Sequence, residues 1–484
     1  MSETQFSVKR YLTGVACERK LWFRYHTERE PEDRKPSWKF NYQKADVYHF
    51  ARQLFPGGIR ISDDWNLAVD QTRDAISKKS PALFEATFTS EKYRIRCDIL
   101  EKNETGWTVY KVKAATRFYD RYAEELTIQV YVARENGVNI SRVVLLTINP
   151  DATVNDPETL FTHHDLTNKV MGRLDFVKGR MDLFWAIPDQ QTPPSVRKSY
   201  LCLDCYAMKH CWEPVPELPV FFLPGLGALQ IDVLNEHQSF DMKKLPADLH
   251  LNPRQKEILA ATLENKEILD QGKLNSWLDQ LIYPLYFIDF EADCPPYPKY
   301  TGTKPFDLIP YQFSLHILHE DGRLEEKMFL HTEDSDSRIP FVEALLEFVG
   351  PVGTIIVYNK LFEQKVIQDQ MNWFPDFAEQ LKPFAERMWD LHAVVSECYY
   401  HPGFHGRTSL KQILPVLVPE LTYHDLQVQS GLETQLMWNA MIRMGPSAER
   451  DKMKTDLEAY CRMDTLGMVK VLEKLRGKVI SGKL

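Results

Sequence analysis

The sequence predicts an α/β fold divided into two domains, and three observations carry that expectation. Apolar, strand-like runs alternate with stretches of helical periodicity. At 484 residues the chain exceeds what one hydrophobic core organises. A proline-rich break, Trp212–Pro224, follows directly on a cysteine cluster. The expected boundaries are 1–215 for the first domain, 216–280 for a proline-rich connector and helical bridge, and 281–480 for the second domain.

Within the first domain, helices are expected over Val15–Tyr25 and around Asp46–Leu54, the latter closed by Pro56-Gly57-Gly58. Strands follow at Ala86–Phe88, Arg94–Leu100 and Trp107–Val112, then a helix near Glu124–Glu135 and a strand at Arg142–Ile148. In the second domain, strands are expected at Leu285–Phe290, Phe313–Leu318 and Thr354–Tyr358. Helices are expected over Ile339–Val349 and Asp451–Leu475, so a mixed sheet covered by helices is the anticipated architecture.

Composition narrows the function classes. Hydrophobic residues make up 44% and charged residues 26%, as in ordinary globular proteins. No run of about 18 apolar residues occurs, which argues against a membrane partner. The opening Met1-Ser-Glu-Thr-Gln-Phe6 lacks a signal-peptide pattern, so a cytoplasmic location is expected. A net charge of −9 argues against a uniformly basic nucleic-acid coat but leaves room for a local basic groove.

Eight cysteines without a secretion signal do not describe a disulfide framework. Cys202-x2-Cys205-x5-Cys211 has metal-ligand spacing but is one ligand short of a four-cysteine set. Cys17 is the best candidate for the fourth; the alternative is that Cys17 packs in the core and the triplet holds Zn²⁺. Cys97, Cys294, Cys398 and Cys461 are scattered and are expected to be packing residues.

The sharpest chemical signal lies in the C-terminal half. Asp289 and Glu291 sit one residue apart on an apolar strand and therefore share a face. Burying such charges is costly unless they are paired or bind metal. Glu363 follows, and Tyr460 precedes Asp464 by four residues, which puts the two on one face of a helix. Hydrolysis of a phosphodiester through two metal ions needs several convergent carboxylates, which this set can supply. A phenol at Tyr460 can hold the attacking water. Asp456 is read as a surface neighbour, and Cys398, His401 and His405 as parts of a loop. Arg407, Ser409 and Lys411 are candidate phosphate contacts, with a plain solvated loop as an equal reading.

The four cysteines resemble the [4Fe–4S] arrangement of RecB-like nucleases with the PD-(D/E)XK fold. Arg94-Ile-Arg-Cys-Asp98-Ile-Leu100 is similar to the strand that carries that family's metal-binding aspartate, and Gln129-Val-Tyr131 to the helix after its catalytic strand. The resemblance implies a site at Asp98, Lys111, Lys113 and Gln129. Lys111 stands where the family has glutamate, unless Glu101 or Glu104 takes that role. A protonated lysine cannot ligate a cation, so this first site is expected to be degenerate.

The C-terminal set resembles DEDD exonucleases of the RNase H-like fold, in the tyrosine (DEDDy) subgroup. Glu363 is a departure, since most of that superfamily has aspartate there. Thr301-Gly-Thr-Lys-Pro-Phe-Asp-Leu-Ile-Pro-Tyr-Gln-Phe-Ser314 and His401-Pro-Gly-Phe-His-Gly-Arg-Thr-Ser409-Leu-Lys411 resemble a bacterial family of unassigned function that fuses the two domain types, and with both halves included the resemblance spans nearly the whole chain. The resemblance implies a 3′→5′ exonuclease using two Mg²⁺ or Mn²⁺ ions held by Asp289, Glu291, Glu363 and Asp464. It also implies a first domain that binds nucleic acid, with DNA favoured over RNA. The alternative is a nucleic-acid-binding or defence-complex component without turnover.

Overall fold

The computed structural model describes residues 5–27, 39, 41–154 and 156–481. Residues 1–4, on which part of the signal-peptide expectation rests, lie outside them. The chain is α/β with mixed sheets, and it divides into two compact units. The first comprises 1–34, 41–197 and 295–307; the second comprises 35–40, 198–294 and 308–484.

The first unit is built on a six-stranded sheet in sequential order: β1 (Ile59–Arg60), β2 (Ala82–Thr89), β3 (Arg94–Lys102), β4 (Trp107–Lys113), β5 (Ile140–Ile148) and β6 (Phe161–Asp165). β2, β3 and β4 pair antiparallel, whereas β4 and β5 pair parallel. The parallel step requires a crossover, which the Asp120–Glu135 helix provides. Two apolar clusters cover the sheet, one built around Leu83, Ile95, Val109 and Leu126, the other around Phe84, Ile99, Val112 and Leu146.

One helix was expected over Val15–Tyr25, but two form, Val8–Ala16 and Glu18–His26. They break at Cys17, whose extended backbone (φ −170°) caps the second, with its sulfur accepting from Lys20 N at 3.4 Å.

The second unit holds a five-stranded sheet. Its strands are β8 (Leu285–Asp293), β9 (Ile309–Leu318), β10 (Leu324–Leu330), β11 (Thr354–Val357) and β12 (Met388–Asp390), in the order β10-β9-β8-β11-β12. β8, β9 and β10 form an antiparallel meander, and β11 and β12 add parallel. A separate ladder joins β7 (Ile268–Leu269) to β13 (Tyr399–Tyr400).

Alternation along β8 settles its two faces. Tyr286, Ile288 and Phe290 pack with Phe313, Leu315, Phe341 and Ile367 into one core. Asp289 and Glu291 therefore face the other side, with Gln312, Ser314 and His316 of β9. The long helix Ala448–Ser481 covers that side. Gln312 Nε2 donates to Leu457 O at 3.0 Å, and Ser314 Oγ and His316 Nδ1 each lie 2.8 Å from Thr465 Oγ1. These bonds fix the rotation of the helix against the sheet.

Helices Ala228–Glu236, Pro253–Leu263 and Gln271–Leu278 occupy the stretch read as a bridge. The proline-rich segment before them is packed rather than strung out. Trp212, Val220, Phe221 and Leu223 are buried with Phe240, Ile258 and Tyr400 in a core of the second unit. Among the described residues no helix is long and apolar enough to cross a membrane.

Candidate metal centre and the paired first site

The carboxylates of Asp289, Glu291 and Asp464 bring ligand oxygens within 4.8 Å of one another. β8 supplies the first two and the long helix the third. Glu291 and Asp464 are buried. Taking carboxylates out of water and crowding them favours the neutral form. Burial, then the charges of Asp464, Glu291 and Glu363, hold the Asp289 carboxyl well above the usual range. Glu291 is pushed up to about 8, by burial foremost, against a bond that Thr434 Oγ1 donates to its Oε2 at 2.7 Å. Asp464 rises to about 6 through burial, moderated by hydrogen bonds from Tyr423 and Tyr460 and by Lys411.

Glu363 stands in the first turn of the Lys360–Trp373 helix, only 2% exposed. Its Oε2 is buried with no hydrogen-bond partner among the described residues. Burial, with the charges of Asp390 and Glu291, pushes it up to about 8. Glu363 acts electrostatically on Asp289 but does not belong to the group of three whose oxygens converge.

The turn before Glu363 is shaped by Asn359, in the left-handed region at φ 72°, which asparagine tolerates better than most residues. Asp390 holds this turn. Its carboxylate accepts from Asn359 N and Lys360 N at 3.2 Å each, and from His392 N at 2.9 Å and Ala393 N at 3.3 Å.

Tyr460 and Asp464 share a face of the long helix, as the spacing predicts. Tyr460 is buried, and its hydroxyl accepts from Lys411 Nζ at 2.5 Å. Lys411 also donates to Gln429 O at 2.8 Å. Burial, then the nearby carboxylates, drives the Tyr460 phenol far upward, so it keeps its proton and can donate.

Several participants were not legible in the sequence. Tyr423 donates to Asp464 Oδ1 at 2.5 Å, and Thr434 comes from the Gly431–Ile442 helix. Cys461, read as packing, is buried but places its thiol 3.7 Å from Asp289 O and 4.0 Å from Asp289 Oδ2. No local pattern marks these residues, since each acts through a contact across 41 to 172 positions.

The other predicted positions fall elsewhere. Asp456 pairs with Lys452 at 2.6 Å on the surface. Arg407 is bound to Asp204 at 2.9 Å, and Ser409 caps the Leu410–Leu417 helix. His401 lies 3.8 Å from Glu267.

In the first unit, Asp98 lies on β3 and Lys111 on β4, one step beyond the Ile99–Tyr110 pair. Lys111 Nζ meets Asp98 Oδ1 at 2.8 Å. Asp98 Oδ2 accepts from Val112 N at 2.8 Å and Tyr48 OH at 3.2 Å. Lys113 Nζ pairs with Glu125 at 2.6 Å, and Gln129 Nε2 donates to Arg96 O at 2.7 Å. Glu101 is instead engaged by Tyr110 OH at 2.7 Å, and Glu104 is exposed in the turn after β3. The residue beside Asp98 is thus Lys111.

Cys17 belongs to the first unit and Cys202, Cys205 and Cys211 to the second. The triplet is half-buried on two short turns, and Cys202 Sγ accepts from Ser199 N at 3.4 Å.

Residues 286–409 match the model of a domain of unknown function, DUF2779. The match includes Asp289, Glu291, Glu363 and Asp390 and stops short of Lys411, Tyr460 and Asp464. No curated protein matches the chain. A solved structure titled "Crystal structure of SSO0001" is similar over 44% of this chain and 87% of its own, at 12% identity and a TM-score of 0.20. That likeness carries no argument about fold.

Proposed function

We propose that the second unit is a metal-dependent nuclease, a 3′→5′ exonuclease of the DEDDy type on an RNase H-like fold. The observation that carries this reading is the convergence of Asp289, Glu291 and Asp464, all raised by burial, on one side of β8. Uncompensated carboxylates at this spacing repel, and a divalent cation would relieve them. The donor set fits Mg²⁺ or Mn²⁺, which favour carboxylate oxygens. The orphaned Oε2 of Glu363 fits a further ligand or a bound water. The order of the sheet, an antiparallel meander followed by two parallel strands, supports the fold assignment.

When bound, two such ions would activate water and offset charge on the phosphodiester. The chain's own part can be read from its side chains. Thr434 and Tyr423 orient Glu291 and Asp464 through short bonds. Tyr460, kept protonated and held between Lys411 and Asp464, is placed to position the attacking water beside the carboxylates. Lys411 sets a positive charge beside the site, suited to an anionic strand.

The first unit, in this reading, has a RecB-like fold and binds nucleic acid without cutting it, because Lys111 occupies the Asp98 carboxylate. Cys202 and Cys211, packed against an apolar core, and the half-buried Cys205 between them suit an iron–sulfur cluster or Zn²⁺; iron, sulfide and zinc analysis decides between them.

The test of the main proposal is degradation of a 5′-labelled single strand with Mn²⁺, comparing wild type with Asp289→Ala. Progressive shortening by the wild type and its loss in the variant are expected. Equal activity in both would sink the proposal.

A further inference from the structure

The paired first site opens on a cavity of about 320 Å³, within the range of about 300–1,000 Å³ for sites that take small ligands. Its lining includes Lys9, Lys44, Tyr48, Lys111, Lys113 and Glu125. The charges are unequal. Lys113 is matched by Glu125 at 2.6 Å, and Lys111 by Asp98 behind it at 2.8 Å. Lys9 and Lys44 are exposed and meet no carboxylate among the described residues; Lys44 lies 5.7 Å from the centre of the Tyr48 ring. Two ammonium groups are left over around a cavity in which both carboxylates are already neutralised.

That balance is wrong for a cation. Asp98 spends one oxygen on Lys111 and the other on Val112 N and Tyr48 OH, and Glu125 is spent on Lys113. It suits an anion. The helix Val8–Ala16 contributes Lys9 and the helix Tyr42–Gln53 contributes Lys44, while Lys111 and Lys113 rise from β4, so ammonium groups reach the cavity from three elements.

We propose that this cavity binds the phosphodiester backbone of a single-stranded nucleic acid without a metal ion, Lys9 and Lys44 contacting phosphates at its mouth. Lys111, by occupying the Asp98 carboxylate, leaves the charge around the cavity positive. The proposal deepens the reading that the first unit holds nucleic acid and is independent of the exonuclease assigned to the second unit.

The experiment uses the full chain in EDTA, where hydrolysis does not interfere, and a 5′-fluorescein single-stranded DNA followed by anisotropy over a salt series. Each lost phosphate contact lowers the slope of log K against log salt by about 0.7 for a single strand. Lys9→Ala/Lys44→Ala should reduce it by about 1.4, equivalent to about 25-fold weaker binding near 0.1 M salt. Lys78→Ala/Lys178→Ala removes the same charge from surface ion pairs and should change the slope little. Both substituted pairs lie on the surface, and thermal melts check that each variant is folded. If Lys9→Ala/Lys44→Ala binds like wild type, or loses no more than the control pair, the cavity is not the site, although the unit still binds nucleic acid. If wild type fails to bind the strand at all, the reading of the first unit falls as well.

Discussion

Metal-free protein should lose stability as the pH rises from about 5 to about 9, and Mn²⁺ should restore it. Glu291 and Glu363 ionise near 8 and Asp464 near 6 in the folded chain, against 4.5 and 3.8 for ordinary glutamate and aspartate. An acid raised by folding holds a proton that it would release on unfolding. Its contribution is complete below the ordinary carboxylate range and is lost as pH climbs through the folded value. Each pH unit between the two values costs about 1.4 kcal/mol once the group must be charged. For Glu291 or Glu363 alone the limit is about 4–5 kcal/mol, and coupling between neighbours spreads the cost. A loss of at least roughly 3–5 kcal/mol for the set follows, a fall of about 10 °C or more in the melting temperature of the second unit. The assay is thermal denaturation in EDTA and in Mn²⁺ across the pH series, with titration calorimetry in two buffers to count the protons released on metal binding. A melting temperature that stays flat or rises with pH in EDTA, or a metal effect equal at both ends of the series, would refute the reasoning.

Three further outcomes are expected. Tyr423→Phe removes a bond that lowers the Asp464 ionisation, so the acidic limb of the pH–activity profile should move to higher pH. Asp390→Ala strips the acceptor from four backbone N–H groups; urea unfolding should show a loss of about 2 kcal/mol or more, because a single lost cap costs about 1. Lys111→Glu places a carboxylate beside Asp98, and calorimetry with Mn²⁺ should detect binding in an Asp289→Ala background, where wild-type Lys111 gives none at this site.

The strands and helices were largely legible because their signals are local. β8 was expected over Leu285–Phe290 and runs Leu285–Asp293; the helix expected over Asp451–Leu475 runs Ala448–Ser481. The break at Cys17 was missed, since the extended backbone there ends the first helix and the Cys17 sulfur caps the second, and neither feature shows in the periodicity. The packing of Trp212–Leu223 was also hidden, because prolines report on backbone conformation and not on burial.

By itself the sequence determined which side chains share a face. A period of two put Asp289 with Glu291 and a spacing of four put Tyr460 with Asp464, whereas only the resemblance to RecB-like nucleases implied a site joining Lys111 to Asp98. Only the tertiary structure decided which of those faces meet. It drew Asp289, Glu291 and Asp464 together and left Glu363 adjacent to that group. It also brought in Tyr423, Thr434 and Cys461 and turned Asp390 into the clasp of two turns. Periodicity is written in neighbouring residues, whereas convergence depends on how the long helix is seated on β9, which Gln312, Ser314 and His316 fix through partners about 145 to 151 positions away.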